Sequence, residues 1–210
     1  VSATGRGTVR NEADFYPTPE WCTRRIVEAC DDLQHGGLWL EPAVGGRAIL
    51  RGVEAACANG FERPSWWTND LYRHDAPAGP RQFERDFLKD QAFAPNPNVL
   101  GTSSCCSEVP EGWDVIITNP PYSLALEFIE RALPLADVVV MLLRLNFLGG
   151  AKRAAFFRDN PPDIYVLPNR PSFTGHGTDA CEYAWFVWPD ARHRRYGRLQ
   201  VLLETPKEER

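Results

Sequence analysis

Metal-site spacing is missing from this chain. Its six cysteines (Cys22, Cys30, Cys57, Cys105, Cys106 and Cys181) form no C-x-x-C pair, and none of its four histidines follows at zinc-finger spacing. Zinc fingers and ribbons are thereby excluded, no metal is expected, and the thiols read as free in a reducing compartment. Long apolar runs are missing too: none approaches the ~20 residues of a membrane span. The N-terminus has no apolar signal-peptide core, so a cytoplasmic protein without a membrane partner is the expectation. Surplus positive charge is also absent. With 28 acidic against 23 basic side chains the net charge is −5, which argues against a general polyanion binder and leaves room for local basic faces. Lys152-Arg153 with Arg158, and Arg192-His193-Arg194-Arg195 with Arg198, are such clusters or else solvated surface.

What is present is an ordinary globular composition, 43% hydrophobic and 24% charged over 210 residues, enough for one domain with a sizeable core. Residues 1–14 are polar and small and read as a flexible arm, and 15–210 read as the single domain. Thr18 is a candidate N-cap and Pro19 a first-turn residue for a helix over 20–34, with Trp21, Ile26, Val27 and Cys30 on one face. Strands are expected at 38–40, 65–72, 114–118, 137–145, 163–167 and Tyr183–Trp188, with a short final edge over 199–203. Helices fall between them, ending near Asn59 and covering 124–133 and 152–158. This alternation argues a doubly wound α/β sheet with helices on both faces. A breaker-rich insert over 92–112 precedes the strand at 114–118.

Three strand tips carry chemistry. Glu41-Pro42-Ala43-Val44-Gly45-Gly46-Arg47 turns from strand to helix, which brings backbone N–H groups to a ligand as nucleotide-binding α/β folds do. Asp70, followed by Leu71, ends the second strand, where such folds place an acid on ribose hydroxyls; a helix-capping aspartate is the alternative. The third tip is Asn119-Pro120-Pro121-Tyr122. Two prolines remove two backbone donors and hold the chain in a stiff, extended turn. Asn119 offers a side-chain amide, Pro120 a carbonyl outside any ladder, and Tyr122 an aromatic face. An acceptor pair beside a stacking platform can grip a planar ring that carries an exocyclic amine. A plain Pro-rich turn is the alternative.

Asn119-Pro120-Pro121-Tyr122 resembles the catalytic motif of amino-group methyltransferases that use S-adenosylmethionine (SAM), above all DNA adenine-N6 methyltransferases of bacteriophage type, and the resemblance implies that Asn119 also borders the cofactor. Tyr16-Pro-Thr18-Pro19 is similar to the element that touches the methionine end of SAM in that family. Glu41-Pro42-Ala43, with Gly45 and Gly46, is similar to its cofactor loop, in which Glu41 answers the cationic end of SAM. The family separates its glycines by one residue, and here Arg47 stands where the second is expected. Asp86-Phe87-Leu88 matches the third cofactor motif, with Asp86 on the adenine N6 of SAM and Phe87 packed on the ring. The resemblance runs from about Phe15 to Trp188 and implies a Rossmann-like sheet of seven strands, SAM as cofactor, and DNA as substrate and partner. Arg170-Pro-Ser-Phe173, opening the loop 170–179, is similar to a stretch of the phage enzymes. It is the expected target reader, with Arg170 on phosphate or guanine and Phe173 wedged into the base stack. rRNA adenine methyltransferases and glutamine-N5 protein methyltransferases share the Asn-Pro-Pro-Tyr motif and remain alternatives, as does a non-catalytic SAM- or nucleic-acid-binding module.

Overall fold

The computed structural model describes residues 17–72, 81–93, 109–110, 112–173, 180–189, 197–203 and 205–209. The expected arm, Tyr16, most of the insert with Cys105 and Cys106, the 174–179 part of the reader loop and the 192–195 cluster lie outside these residues.

Helix α1 (Glu20–Ala29) follows Pro19, which takes the N-cap position with φ −57° and without a side-chain cap. The capping role expected of Thr18 is therefore not filled by it; its hydroxyl serves another residue, described below. The helix buries Trp21, Ile26 and Val27 and stops at Cys30, whose extended backbone (φ −107°, ψ 109°) turns the chain before a 3₁₀ turn over Asp31–Leu33. Strand β1 (Leu38–Glu41) and helix α2 (Ala48–Cys57) come next, then β2 (Ser65–Asp70) and β3 (Gln82–Glu84). The second half holds β4 (Trp113–Thr118), α3 (Ala125–Ala132), β5 (Ala136–Arg144), α4 (Ala154–Asp159), β6 (Asp163–Val166), β7 (Tyr183–Trp188) and β8 (Leu199–Val201).

The strands form one sheet in the order β3-β2-β1-β4-β5-β7-β6-β8. All pairings are parallel except those of β7, which runs antiparallel to both β5 and β6. Eight strands replace the seven expected, the added one being β3 at the edge beside β2. The expected final edge, β8, is held by a buried acid: both oxygens of Asp163 are taken by Arg198, one by its backbone N–H at 2.6 Å and one by Nε at 3.1 Å. This fixes the chain beside β6 in the register Ile164–Leu199.

Period-two alternation sorts the core into two layers. Trp39, Val115, Ile117, Val140, Leu142 and Trp185 face α1 and α2, while Leu40, Ile116, Val139, Met141, Leu143 and Phe186 face the side covered by α3. Helices α1 and α2 approach closely at Gly52, where a Cβ would lie 2.5 Å from the Thr23 Cβ and 2.7 Å from the Glu20 carbonyl oxygen. Two consequences position the site. Strand order reverses between β1 and β4, so the loops after them diverge and open a crevice at their carboxyl ends. Because β7 runs the other way, its first residue, Tyr183, lies on that same rim, paired with Arg144 at the end of β5. No helix among the described residues is long and apolar enough to cross a membrane.

Candidate active site

The loop after β1 is tied to the next strand by backbone and side chain together. Val44 N–H donates to the Asn69 carbonyl at 2.9 Å, and Gly45 N–H donates to Asp70 Oδ2 at 2.8 Å. Asp70 Oδ1 accepts from Tyr72 N–H at 3.1 Å. Asn69, fully buried, joins three strand tips: its Nδ2 donates to the carbonyls of Pro42 (3.1 Å) and Arg85 (3.0 Å), and its Oδ1 accepts from Arg85 N–H (3.2 Å). The sequence reading passed over Asn69. Its signal was there: in alternation with Asp70 it points to the opposite face of β2, where a buried amide must find partners.

Arg47 occupies the position where a glycine is expected, and its backbone takes a conformation that glycine adopts without strain. It is left-handed, φ 62° and ψ 28°, the one non-glycine with positive φ among the described residues. Its side chain donates from Nη2 to Gln82 Oε1 at 2.7 Å. Left-handed strain costs ~1–2 kcal/mol, and the side-chain bond offsets part of it. Arg47→Gly is therefore expected to melt within about 1 kcal/mol of wild type. Arg47→Val, β-branched at the same φ, should lose more than about 1 kcal/mol. Thermal unfolding of both checks this; a valine variant as stable as the glycine variant would show that the position is unstrained.

Glu41 ends β1 on the α1–α2 side, in alternation with Trp39. It is 2% exposed, and among the described residues its Oε2 has no hydrogen-bond partner. Burial pushes its carboxyl well above the ordinary carboxylate value; Asp70 adds in the same direction and Arg51 opposes it. A cavity of about 380 Å³ opens on the other side of the strand tips. Of the expected cofactor residues, Pro42, Ala43, Asp70, Leu71, Asp86 and Phe87 line it, and Pro121 and Phe128 close it from the β4 side. Asp86 Oδ1 accepts from Leu88 N–H at 3.0 Å, which turns its carboxylate along the wall. Phe87 is braced by Phe93 and Phe128, each with ring centroids 5.3 Å away. Thr18, Pro19, Glu41, Gly45, Gly46, Asn119, Pro120 and Tyr122 are not in that wall, so the expected residues fall into two groups on either side of the strand tips.

The second group centres on Asn119. Pro120 is buried and Asn119 half-buried, and the Asn119 Nδ2 donates to Thr18 Oγ1 at 3.1 Å. Pro121, at φ −53° and ψ 120°, leads into a 3₁₀ turn over Tyr122–Leu124 that delivers the chain to α3. Tyr122 is half-buried. The guanidinium of Arg144 lies 4.9 Å from its ring centroid, and Tyr183 packs at 6.0 Å and 45°. Arg144 Nε also donates to the Tyr183 hydroxyl at 3.1 Å. One face of the expected stacking platform is thus covered by a planar cation that the sequence reading did not single out.

The reader loop differs from expectation at Phe173. Phe173 is not an exposed wedge: it is 8% exposed and meets Tyr183 edge-on at 5.0 Å. Its ring is drawn inward because β7 presents the fully buried Tyr183 at the rim. Arg170 is exposed and ion-paired with Glu182, whose carboxyl is lowered from its ordinary value by the hydrogen bond from that guanidinium.

No family model matches the chain, and no curated sequence is similar to it. Solved structures match in fold. The methyltransferase subunit of a type I restriction-modification system from Streptococcus thermophilus aligns over 94% of this chain and 53% of its own length, with a TM-score of 0.61 and 14% identity. A candidate RNA methyltransferase of Pyrococcus horikoshii aligns over 92% and 94%, with a TM-score of 0.60 and 11% identity. A candidate class I SAM-dependent methyltransferase of Listeria monocytogenes aligns over 87% and 62%, with a TM-score of 0.54 and 12% identity. The chain spans about half the length of the Streptococcus subunit. At these identities the likeness is one of fold, the Rossmann-like α/β sheet that these structures share.

Proposed function

We propose that this protein transfers the methyl group of SAM to the N6 amine of adenine in DNA. One observation supports the reading above others. Asn119, Pro120 and Tyr122 stand at the carboxyl end of β4, beside the reversal of strand order, and Pro121 of the same segment helps wall a cavity shared with Asp70, Asp86 and Phe87.

The residues present fit SAM. A buried carboxyl, Glu41, whose Oε2 has no hydrogen-bond partner among the described residues, suits a ligand that carries an ammonium beside a sulfonium. Asp70 lines the cavity from the tip of the second strand, where such folds place an acid on ribose hydroxyls, and Phe87 gives an apolar wall for a planar ring beside Asp86. The cavity volume of about 380 Å³ is within the range of small-molecule sites.

When bound, SAM supplies an electrophilic methyl carbon; the chain must make a poor nucleophile adequate. The adenine N6 lone pair is delocalised into the ring. The Asn119 amide oxygen and the Pro120 carbonyl each accept one N–H of the amine, which favours a pyramidal nitrogen as charge develops. Hydrogen bonds that strengthen in the transition state raise the rate itself, and holding the amine in line adds a proximity contribution. Tyr122 carries the base on its ring, worth ~1–3 kcal/mol per stacked base. Because a duplex hides the amine, the base is taken flipped out or single-stranded.

The restriction-system likeness favours DNA, and the Pyrococcus likeness keeps RNA adenine as a second reading. Tritiated SAM offered with duplex DNA, single-stranded DNA, RNA and a protein extract separates them. Label is expected in DNA, with nucleoside analysis returning N6-methyladenine. Label confined to RNA, or to protein glutamine, would overturn the reading.

A further inference from the structure

We propose that Thr18 is the positioning residue for Asn119, holding the amide so that its oxygen is presented to the target amine; this rests on the methyl-transfer reading above. A primary amide has a donor end and an acceptor end. An exocyclic amine brings N–H groups, so the acceptor end alone is productive, and an NH₂ turned toward it sets donor against donor. The Thr18 hydroxyl takes the donor end. Its Oγ1 lies 3.1 Å from Asn119 Nδ2, and the residue is 4% exposed, so water competes little for the amide. As an acceptor, the hydroxyl is compatible with the amide orientation that the amine needs.

The surroundings explain how Thr18 comes to be rigid enough for this. It directly precedes Pro19, which fixes the entry to α1. The first turn of α1 is pressed onto α2 where Gly52 leaves no Cβ between it and the Glu20 carbonyl. Glu20 is ion-paired with Arg51, whose Nη1 also donates to the Gly46 carbonyl at 2.7 Å. The beginning of α1, the Gly45-Gly46 loop and α2 are therefore joined, and Thr18 carries its position to a residue 101 positions later in the chain. The role is distinct from cofactor contact, which the resemblance alone implies for Thr18.

The test is isosteric. Thr18→Val keeps the shape and removes the acceptor, leaving a shielded NH₂ without it; Thr18→Ser restores the hydroxyl. Three readouts are compared in the full chain: kcat and KM for DNA, the SAM dissociation constant by calorimetry, and the side-chain ¹⁵NH₂ resonances of Asn119, assigned with Asn119→Ala. Thr18→Val is expected to lower kcat about ten- to a hundredfold, with KM and SAM affinity within about twofold, and to shift and broaden the Asn119 amide pair. Thr18→Ser should return all three to wild-type values. Thr18→Ala, which inserts no atoms, carries the same expectation should the valine variant not fold. Unchanged kcat in Thr18→Val overturns the proposal, and so does a loss of SAM affinity with kcat intact, which would make Thr18 a cofactor residue. If the wild type methylates no DNA, the methyl-transfer reading fails on that arm. The amide spectra still decide the link between Thr18 and Asn119: resonances identical in wild type and Thr18→Val would overturn it.

Discussion

Asn119→Ala is expected to lower turnover on DNA by about 10²–10³-fold, the usual loss when one preorganised group aimed at developing charge is removed. SAM affinity should change little. In the reading above its amide addresses the target amine rather than the cofactor, and its Nδ2 is engaged by the Thr18 hydroxyl. Tyr122 separates differently. Tyr122→Phe keeps both the ring beneath Arg144 and the stacking face and should be mild, whereas Tyr122→Ala loses the base platform and should raise KM. Single-turnover methylation alongside SAM calorimetry measures each effect. Near-normal turnover in Asn119→Ala would remove the amide from the chemistry.

Glu41→Gln should weaken SAM binding by the worth of a charged hydrogen bond, about 1.5–3 kcal/mol or roughly ten- to 150-fold, and yet stabilise the ligand-free protein near neutral pH. The two effects have one cause. Burial holds the Glu41 proton in the folded chain to a higher pH than in the unfolded chain, with Asp70 acting in the same sense and Arg51 against it. The folded state then binds more protons than the unfolded state above about pH 4.3, the ordinary glutamate value. Stability from this group is complete below that value and falls as pH rises through the raised one. Glutamine cannot ionise, so the variant should show a flatter stability profile across the window. For the wild type, SAM affinity should rise with pH over the same window, because the cation needs the carboxylate. Thermal melts and calorimetry at several pH values test both parts. Wild-type SAM affinity in Glu41→Gln would show that the buried acid does not meet the cofactor.

How much of this was legible in the sequence depended on whether the cause was local. β7 was expected with its observed bounds because Tyr183-Ala-Trp-Phe-Val-Trp188 is a β-prone run, and every one of its residues is buried. The strand tips bearing Glu41 and Asn119 were legible because each closes an apolar run with a polar stop, and that of Asp70 because a β-prone stretch ends in an acid. Thr18 was misread for the opposite reason. Capping logic looks one turn ahead, and the partner that took its hydroxyl lies on β4's exit loop. Phe173, an aromatic among serine, threonine and glycine, reads as exposed until the neighbouring ring of Tyr183 is in place. Arg144 gave no local sign either. Its position above Tyr122 exists because β7 enters the sheet backwards and brings Tyr183 beside it.

The strand order also sets a timetable for synthesis. β1 needs β2 on one side and β4 on the other, and β4 begins about 70 residues after β1 ends. At ribosomal speeds of roughly 5–20 residues per second, the second edge of β1 waits several seconds for its partner. During that interval Trp39 and Leu40 belong to an open strand rather than to the centre of a sheet. An unpaired apolar edge invites the wrong strand. The nascent first half therefore keeps an apolar edge open until β4 arrives, and slower growth at low temperature lengthens that interval.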